Sequence, residues 1–312
     1  SVHVDGWRKF PAIVKPAATD SGEDSPSAST SRRSGAATKL VSGPSGGLNI
    51  TLIDDSTSCP PVDTSRTSSL RSPSGSGTLK GIETSLDYLK RLGVSVVYLN
   101  PVFEAASNHR YNTADYLSID PVLGSEADFR SLCRKADAMG VHIILDGVFS
   151  HTGSDSIYFN REGTYDVLGA ANSRKSKYFP WYMFEHYPDK YRCWWGFTSL
   201  PEVNEFEPAW QQFVITGPDS VIRHWLAAGA RGYRLDVADE LPDEVLAMIY
   251  YAARQTDPEA VMLGEVWEDA TTKYSYGEQR RYALGGMLDS VTNCPLRQAL
   301  IGFLNGRADA ED

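Results

Sequence analysis

From Thr78 onward, short β-branched runs alternate with stretches whose apolar residues recur at helical spacing, and few architectures accept that alternation. Ile82 to Leu92 places Ile82, Leu86 and Leu89 on one helical face and stops at Gly93, a helix terminator. Val94 to Leu99 follows as a buried strand. The spacing predicts further helices over Ala127 to Met139, closed by Gly140, and over Asp219 to Ala228 and Pro242 to Gln255. It predicts strands over Val141 to Leu145, Gly232 to Val237 and Ala260 to Val266. A weaker helix near Tyr276 to Leu284, a strand near Leu288 to Val291 and a helix near Leu296 to Phe303 complete the pattern. Strands alternating with helices imply right-handed βαβ units and a parallel sheet covered on both faces.

An open doubly wound sheet and a closed barrel both satisfy this pattern, and the polar residues separate them. The strands end on Asn100, Asp146, Arg234 with Asp236, and Glu265, at the edge where barrel enzymes carry their chemistry. No GxGxxG or GxxxxGK loop follows any strand, which counts against a nucleotide site. A barrel of about 250 residues spends roughly thirty on each strand–helix unit. Asp236 to Glu265 fits one unit. Asp146 to Asp236 spans about ninety residues, so an insertion follows the earlier strand. The expected fold is α/β: a partial TIM (β/α)8 barrel with an insertion after its third strand, counting an unrecognised first strand before residue 78. Only five strands are legible, short of eight. The expected organisation is a low-complexity segment at 1–77, barrel parts at 78–151 and 217–312, and an inserted loop domain at 152–216.

From about Pro16 to Gly77 the chain is dominated by Ser, Thr, Pro, Gly and Arg, too poor in apolar residues to build a core. It reads as irregular or disordered, or as translated out of frame, since coherent patterning starts abruptly at Thr78. The chain opens on Ser1 without a signal-peptide pattern, which reads as a processed chain or a fragment. The net charge of -10 excludes nucleic acid and anionic membranes as expected partners, because both need clustered basic surface. It suits a neutral substrate. No apolar run reaches membrane-spanning length. Cys59, Cys133, Cys193 and Cys294 lack metal-type spacing and read first as free thiols of a reducing compartment, hence a cytoplasmic location, with a disulfide as the lesser reading.

Asp236 and Glu265 end consecutive predicted strands and so face one barrel mouth. Two carboxylates placed there are the minimum apparatus for breaking a glycosidic bond. Arg234 shares their side of the strand by period-two alternation, and a guanidinium there would hold Asp236 ionised. Asp146 and His151 bracket an earlier strand end, positioned to hydrogen-bond sugar hydroxyls. The same pattern also fits helix caps, structural ion pairs and a packed histidine.

The literal residues narrow the choice. Asp146-Gly147-Val148-Phe149-Ser150-His151, Gly232 through Glu240 (GYRLDVADE) and Gly264-Glu265-Val266-Trp267-Glu268 resemble the first three signature regions of the α-amylase family of glycoside hydrolases. Leu200-Pro201-Glu202-Val203-Asn204 resembles that family's motif in the loop after the third strand. Ser107 through Tyr116 (SNHRYNTADY) is similar to a segment of neopullulanases, cyclomaltodextrinases and amylopullulanases. The resemblance covers roughly residues 78 to 312. It implies Asp236 as nucleophile and Glu265 as general acid and base, with Arg234 positioning the nucleophile. Tyr111, Asp146 and His151 would line the subsite holding the sugar whose bond is cut. Trp267 would face the leaving sugar or pack in the barrel, and Trp194 and Trp195 read first as core of the inserted domain.

The chain departs from the family in three respects. A fourth signature region, with its acid beside a histidine, is absent before Asp312. The first strand has no recognisable counterpart. Ser150 and Asn112 stand where many relatives carry Asn and Asp; the Ser150 position often helps bind structural calcium in such relatives, which makes calcium a doubtful ligand here, and no other cofactor is expected. The resemblance therefore implies a retaining hydrolase of α-glucosidic bonds in maltodextrin, cyclodextrin or pullulan, present here as a fragment with little activity. An α-glucan transglycosylase and a non-catalytic glucan-binding module share these motifs. An α-glucan oligosaccharide or polysaccharide is the expected partner, and an oligomer is compatible with relatives that complete their sites with a dimer partner.

Overall fold

A computed structural model describes residues 50–54 and 77–307. Six strands form one sheet: β1 (Ile50–Asp54), β2 (Val94–Leu99), β3 (His142–Gly147), β4 (Gly232–Leu235), β5 (Val261–Gly264) and β6 (Ser290–Val291). They neighbour one another in chain order, and β2 through β6 are parallel. Doubly wound sheets reverse their strand order midway. An unreversed sequence of parallel strands with intervening helices is an arc of a barrel wall. The α-helices longer than one turn are α1 (Leu79–Arg91), α2 (Glu126–Ala138), α3 (Val221–Ala227), α4 (Asp243–Thr256) and α5 (Cys294–Leu304).

Local chemistry sets the helix ends. Thr78 caps α1 by accepting from the Gly81 amide at 3.1 Å, and Ser125 with Asp128 forms a capping box on α2. Gly93 and Gly140, at φ 87° and 67°, end the two helices in a conformation that favours glycine. Alternation then sorts each strand. Val97, Leu99, Ile143, Leu145, Tyr233 and Met262 join the helices in the main core, while Val96, Tyr98 and Ile144 form a small apolar cluster of their own. Continuing the second row by twos leads to Asn100, Asp146, Arg234 with Asp236, and Glu265. The strand ends therefore deliver their polar residues to one mouth.

Three features differ from the sequence expectation. Tyr274–Ser275 pairs with Glu278–Gln279 as a hairpin where a helix was expected, followed by a 3-10 turn at Tyr282–Leu284. Tyr276, Gly277, Gly285 and Gly286 all have positive φ, which no right-handed helix tolerates. Strand β4 ends at Leu235, earlier than expected, because Val237 turns left-handed at φ 41° and takes the chain out of the sheet. Strand β1 is hidden within a polar segment and pairs antiparallel with β2, so it is not the parallel first strand of a βα unit. The remaining expectations for residues 1–77, including reading frame, lie outside the described residues. Among the described residues no helix is long and apolar enough to cross a membrane.

Between β3 and α3 the chain forms a hairpin (Phe184–His186 with Lys190–Tyr191) around packed aromatic rings, among them Phe159 against Tyr191 at 4.6 Å. A bridge between His151 and Glu202 ties this segment to the end of β3.

Candidate active site

Asp146 enters the mouth from β3, Asp236 from just past β4, and Glu265 from just past β5. Arg234 joins all three. Its Nη1 donates to Asp146 Oδ1 at 2.7 Å and to Asp236 Oδ1 at 2.6 Å, and its Nη2 lies 2.6 Å from Glu265 Oε1. The left-handed turn at Val237 aims that residue's amide at Glu265 Oε2, 3.0 Å away. Asp236 and Glu265 thus sit on the two terminal nitrogens of a single guanidinium. The Asp146 side chain is fully buried, those of Arg234 and Asp236 nearly so, and Glu265 is the most open at 20%.

Burial dominates the protonation of this cluster. It pushes the Asp146 carboxyl above its ordinary range, against the pull of Arg234. Burial, and then the negative charge of Asp146, push Asp236 up to about 8, again against Arg234. The expectation that Arg234 holds Asp236 ionised is corrected here. One cation divided among three carboxylates cannot outweigh desolvation plus a second carboxylate.

Two tyrosines close the floor. Tyr98 donates its hydroxyl to Asp146 Oδ2 at 2.5 Å, and its ring lies 5.7 Å from the Arg234 guanidinium. The Tyr111 ring lies 6.0 Å from the same guanidinium. Burial raises both phenols, so both remain neutral. His151 is buried, with Nε2 3.1 Å from the Tyr111 carbonyl and Nδ1 2.9 Å from Ser150 Oγ. Burial lowers its pKa to about 4, so it stands neutral at physiological pH. Tyr116, fully buried, donates to the Val148 and His151 carbonyls and holds the loop that follows β3. The Ser107-to-Tyr116 segment thus positions Tyr111 and braces His151 together. Among the described residues no group of three His, Cys, Asp or Glu forms a metal-ligating set.

Along the loops that follow β4 and β5 opens a cleft of about 330 Å³ whose lining includes Trp195, Glu240, Trp267 and Tyr276 but none of the buried carboxylates. Trp267 is 43% exposed and meets Trp195 edge-on at 5.7 Å, so it lies at the cleft surface and does not pack in the barrel. Trp194 and Trp195 are not core either. Trp195 is 65% exposed, and both indole N–H groups donate to the Glu240 carboxylate, at 2.8 and 2.9 Å. They stack on each other at 5.5 Å and are anchored by that carboxylate, outside the apolar core expected to hold them.

The structure brings together Asp146, His151, Tyr111, Arg234, Asp236 and Glu265, while Trp267 lines the cleft formed by the loops after β4 and β5. Tyr98 and Glu240 were missed. Tyr98 was accessible in principle, since it stands two residues before Asn100 on the same strand face. Glu240 closes the GYRLDVADE segment, but nothing local gives its role, because the indoles it holds lie in another loop.

The catalytic-domain model of alpha-amylase matches residues 63–295. This chain belongs to the alpha-amylase family. It is 42% identical over 250 residues to an amylopullulanase of Thermoanaerobacterium saccharolyticum, covering 74% of this chain and 19% of that protein. It is 32% identical over 243 residues to neopullulanase 2 of Thermoactinomyces vulgaris, covering 75% and 38% respectively. Among solved structures, a cyclic alpha-maltosyl-(1→6)-maltose hydrolase from Arthrobacter globiformis superposes with a TM-score of 0.66 at 28% identity, covering 75% of this chain and 50% of that one. The chain therefore spans less than two-fifths of the length of these two curated relatives.

Proposed function

We propose that the chain carries the catalytic centre of a retaining glycoside hydrolase that cuts α-glucosidic bonds in starch-type glucans such as maltodextrin, cyclodextrin or pullulan. The observation that carries the reading is one guanidinium hydrogen-bonded to Asp236 and paired with Glu265 at adjoining strand ends. Relatives named amylopullulanase and neopullulanase support the substrate class.

In the first step an Asp236 carboxylate oxygen attacks the anomeric carbon and forms an ester bond. The glycosidic C–O bond breaks, its electron pair stays on the leaving oxygen, and that oxygen takes the proton from Glu265. In the second step Glu265 removes a proton from water, water oxygen attacks the anomeric carbon, and the Asp236 carboxylate departs. The reacting form needs its proton on Glu265 and not on Asp236. Arg234 touches both carboxylates and provides a charge against which that proton can be redistributed. Tyr111 stacks on the sugar whose bond is cut, and Trp267 faces the leaving sugar. Asp146 and neutral His151 are buried with their polar atoms engaged by Arg234, Tyr98, Ser150 and the Tyr111 carbonyl, so they shape that subsite from beneath and do not hydrogen-bond the sugar hydroxyls directly. A cytoplasmic location belongs to the same proposal, supported by the free thiols of Cys133, Cys193 and Cys294.

The test is covalent. A fluorinated α-glucosyl fluoride that forms a slowly hydrolysed ester is expected to label the peptide containing Asp236, read by mass spectrometry, and Asp236→Asn abolishes the label. Glu265→Gln lowers maltodextrin hydrolysis by about 10²–10⁴, the usual weight of a general acid, while labelling by the fluoride, whose leaving group needs little acid help, persists. Adducts on another residue, or hydrolysis that survives Asp236→Asn, refute the assignment.

A further inference from the structure

The hairpin Tyr274–Gln279 has two residues in each strand, too few to hold itself. Arg280 follows it directly and is only 4% exposed. Its Nε donates to Asp243 Oδ1 at 2.5 Å, and its Nη1 donates to the Asp239 carbonyl at 2.9 Å and to Ser275 Oγ at 2.8 Å. Its Nη2 donates to the Leu241 carbonyl. The guanidinium also lies 5.4 Å from the Tyr276 ring and 4.8 Å from the Tyr282 ring. One side chain therefore joins the hairpin, the turn Ala238–Glu240 that follows β4, and the first turn of α4.

That turn carries Glu240. The Tyr276 hydroxyl of the hairpin donates to the Glu240 carbonyl, and the Glu240 carboxylate holds Trp194 and Trp195. Trp195 stacks on Trp194 at 5.5 Å and the one Glu240 carboxylate holds both indoles, so the orientation of the pair follows where Glu240 stands. Asp236 and Arg234 do not depend on it. Arg234 sits within the ladder of β4, and Asp236 is held by that guanidinium and by its own amide, which donates to the Gly147 carbonyl at 3.0 Å.

We propose that Arg280 is a positioning residue: it clamps the hairpin to the loop after β4 and so sets the cleft wall that meets the glucan beyond the bond being cut. This rests on the catalytic reading above and extends it to how longer glucans are recognised. A lysine offers a point charge in place of a planar fork and cannot serve three loops at once. A clamp of this kind affects long substrates and spares one that fills only the sugar site over Asp236. A purely structural staple affects both alike.

The experiment compares α-glucosyl fluoride, a single sugar, with maltohexaose on the full chain and on Arg280→Lys, with far-UV circular dichroism to verify folding. The expected result is kcat/KM for the fluoride within about twofold of the unsubstituted chain. For maltohexaose, KM rises and kcat/KM falls by about ten- to a hundredfold, the cost of misplacing a binding surface by roughly an ångström. Equal losses on both substrates, or no loss on either, overturn the proposal. Should Arg280→Lys fail to fold, Asp243→Asn weakens the same clamp from outside the cleft and carries the same comparison. If the folded, unsubstituted chain is inert on α-glucosyl fluoride, the catalytic reading fails. Calorimetric affinity for maltohexaose then judges the clamp alone: about tenfold weaker binding by Arg280→Lys supports it, and equal affinity overturns it.

Discussion

Arg234→Met removes the cation that Asp146, Asp236 and Glu265 share, and the structure sets both the size and the pH dependence of the cost. The Asp146 side chain is fully enclosed and that of Asp236 is 9% exposed, so water cannot replace the lost partner. Breaking such a buried pair costs about 3–5 kcal/mol. At roughly 2–4 °C per kcal/mol for a domain of this size, the melting temperature falls by roughly 6–20 °C. The folded-state pKa values of Asp146 and Asp236 both lie above their unfolded values. Their contribution to stability is therefore fully present below the unfolded pKa, near 4, and is lost as pH rises through the folded one, about 8 for Asp236. Arg234 limits that loss by pulling both values down. Without it they climb further, so the deficit of Arg234→Met is small near pH 4 and widens toward pH 9. Thermal unfolding of both proteins, followed by circular dichroism at several pH values across that range, measures the difference. A deficit that is flat with pH, or largest in acid, would refute the claim that one cation offsets two raised carboxylates.

Two further perturbations test the scaffold. Tyr98→Phe deletes the hydroxyl that donates to Asp146, at a cost of about 1.5–3 kcal/mol for a hydrogen bond to a charged group. The loss grows with pH because only the ionised carboxylate needs the donor, and an unchanged urea midpoint at alkaline pH contradicts it. Gly232→Ala places a Cβ 2.0 Å from the Val261 carbonyl oxygen of the neighbouring strand, at φ 149°. Since β4 and β5 lead into the two acids proposed to react, the expected outcome is a chain that no longer unfolds cooperatively; a variant with native stability shows that this approach of the strands is not required.

What consecutive residues encode is short-ranged. The Gly93 and Gly140 stops, the Ser125 cap and the strand alternation foretold α1, α2 and strands β2 to β5 to within a few residues. Asp146, Arg234, Asp236 and Glu265 were legible because each sits at a strand end inside a recognisable motif. The hairpin at Tyr274–Gln279 was misread because its apolar and aromatic residues mimic a helical period, while the evidence against a helix lies in positive φ angles that the sequence only hints at through glycine.

Tertiary structure decided the rest. Trp195 and Glu240 lie 45 positions apart, and nothing near either one announces the other. The charge state of Asp236 makes the same point. Along the sequence its neighbour is Arg234, which argues for an ionised carboxylate. In the folded chain Asp146, 88 positions before Arg234, reaches the same guanidinium, and burial then raises Asp236 instead. Dihedral preference and periodicity are properties of adjacent residues and can be read from them. Desolvation and net charge at a site are sums over whatever the sheet order brings together, and that order exists only once the strands have paired.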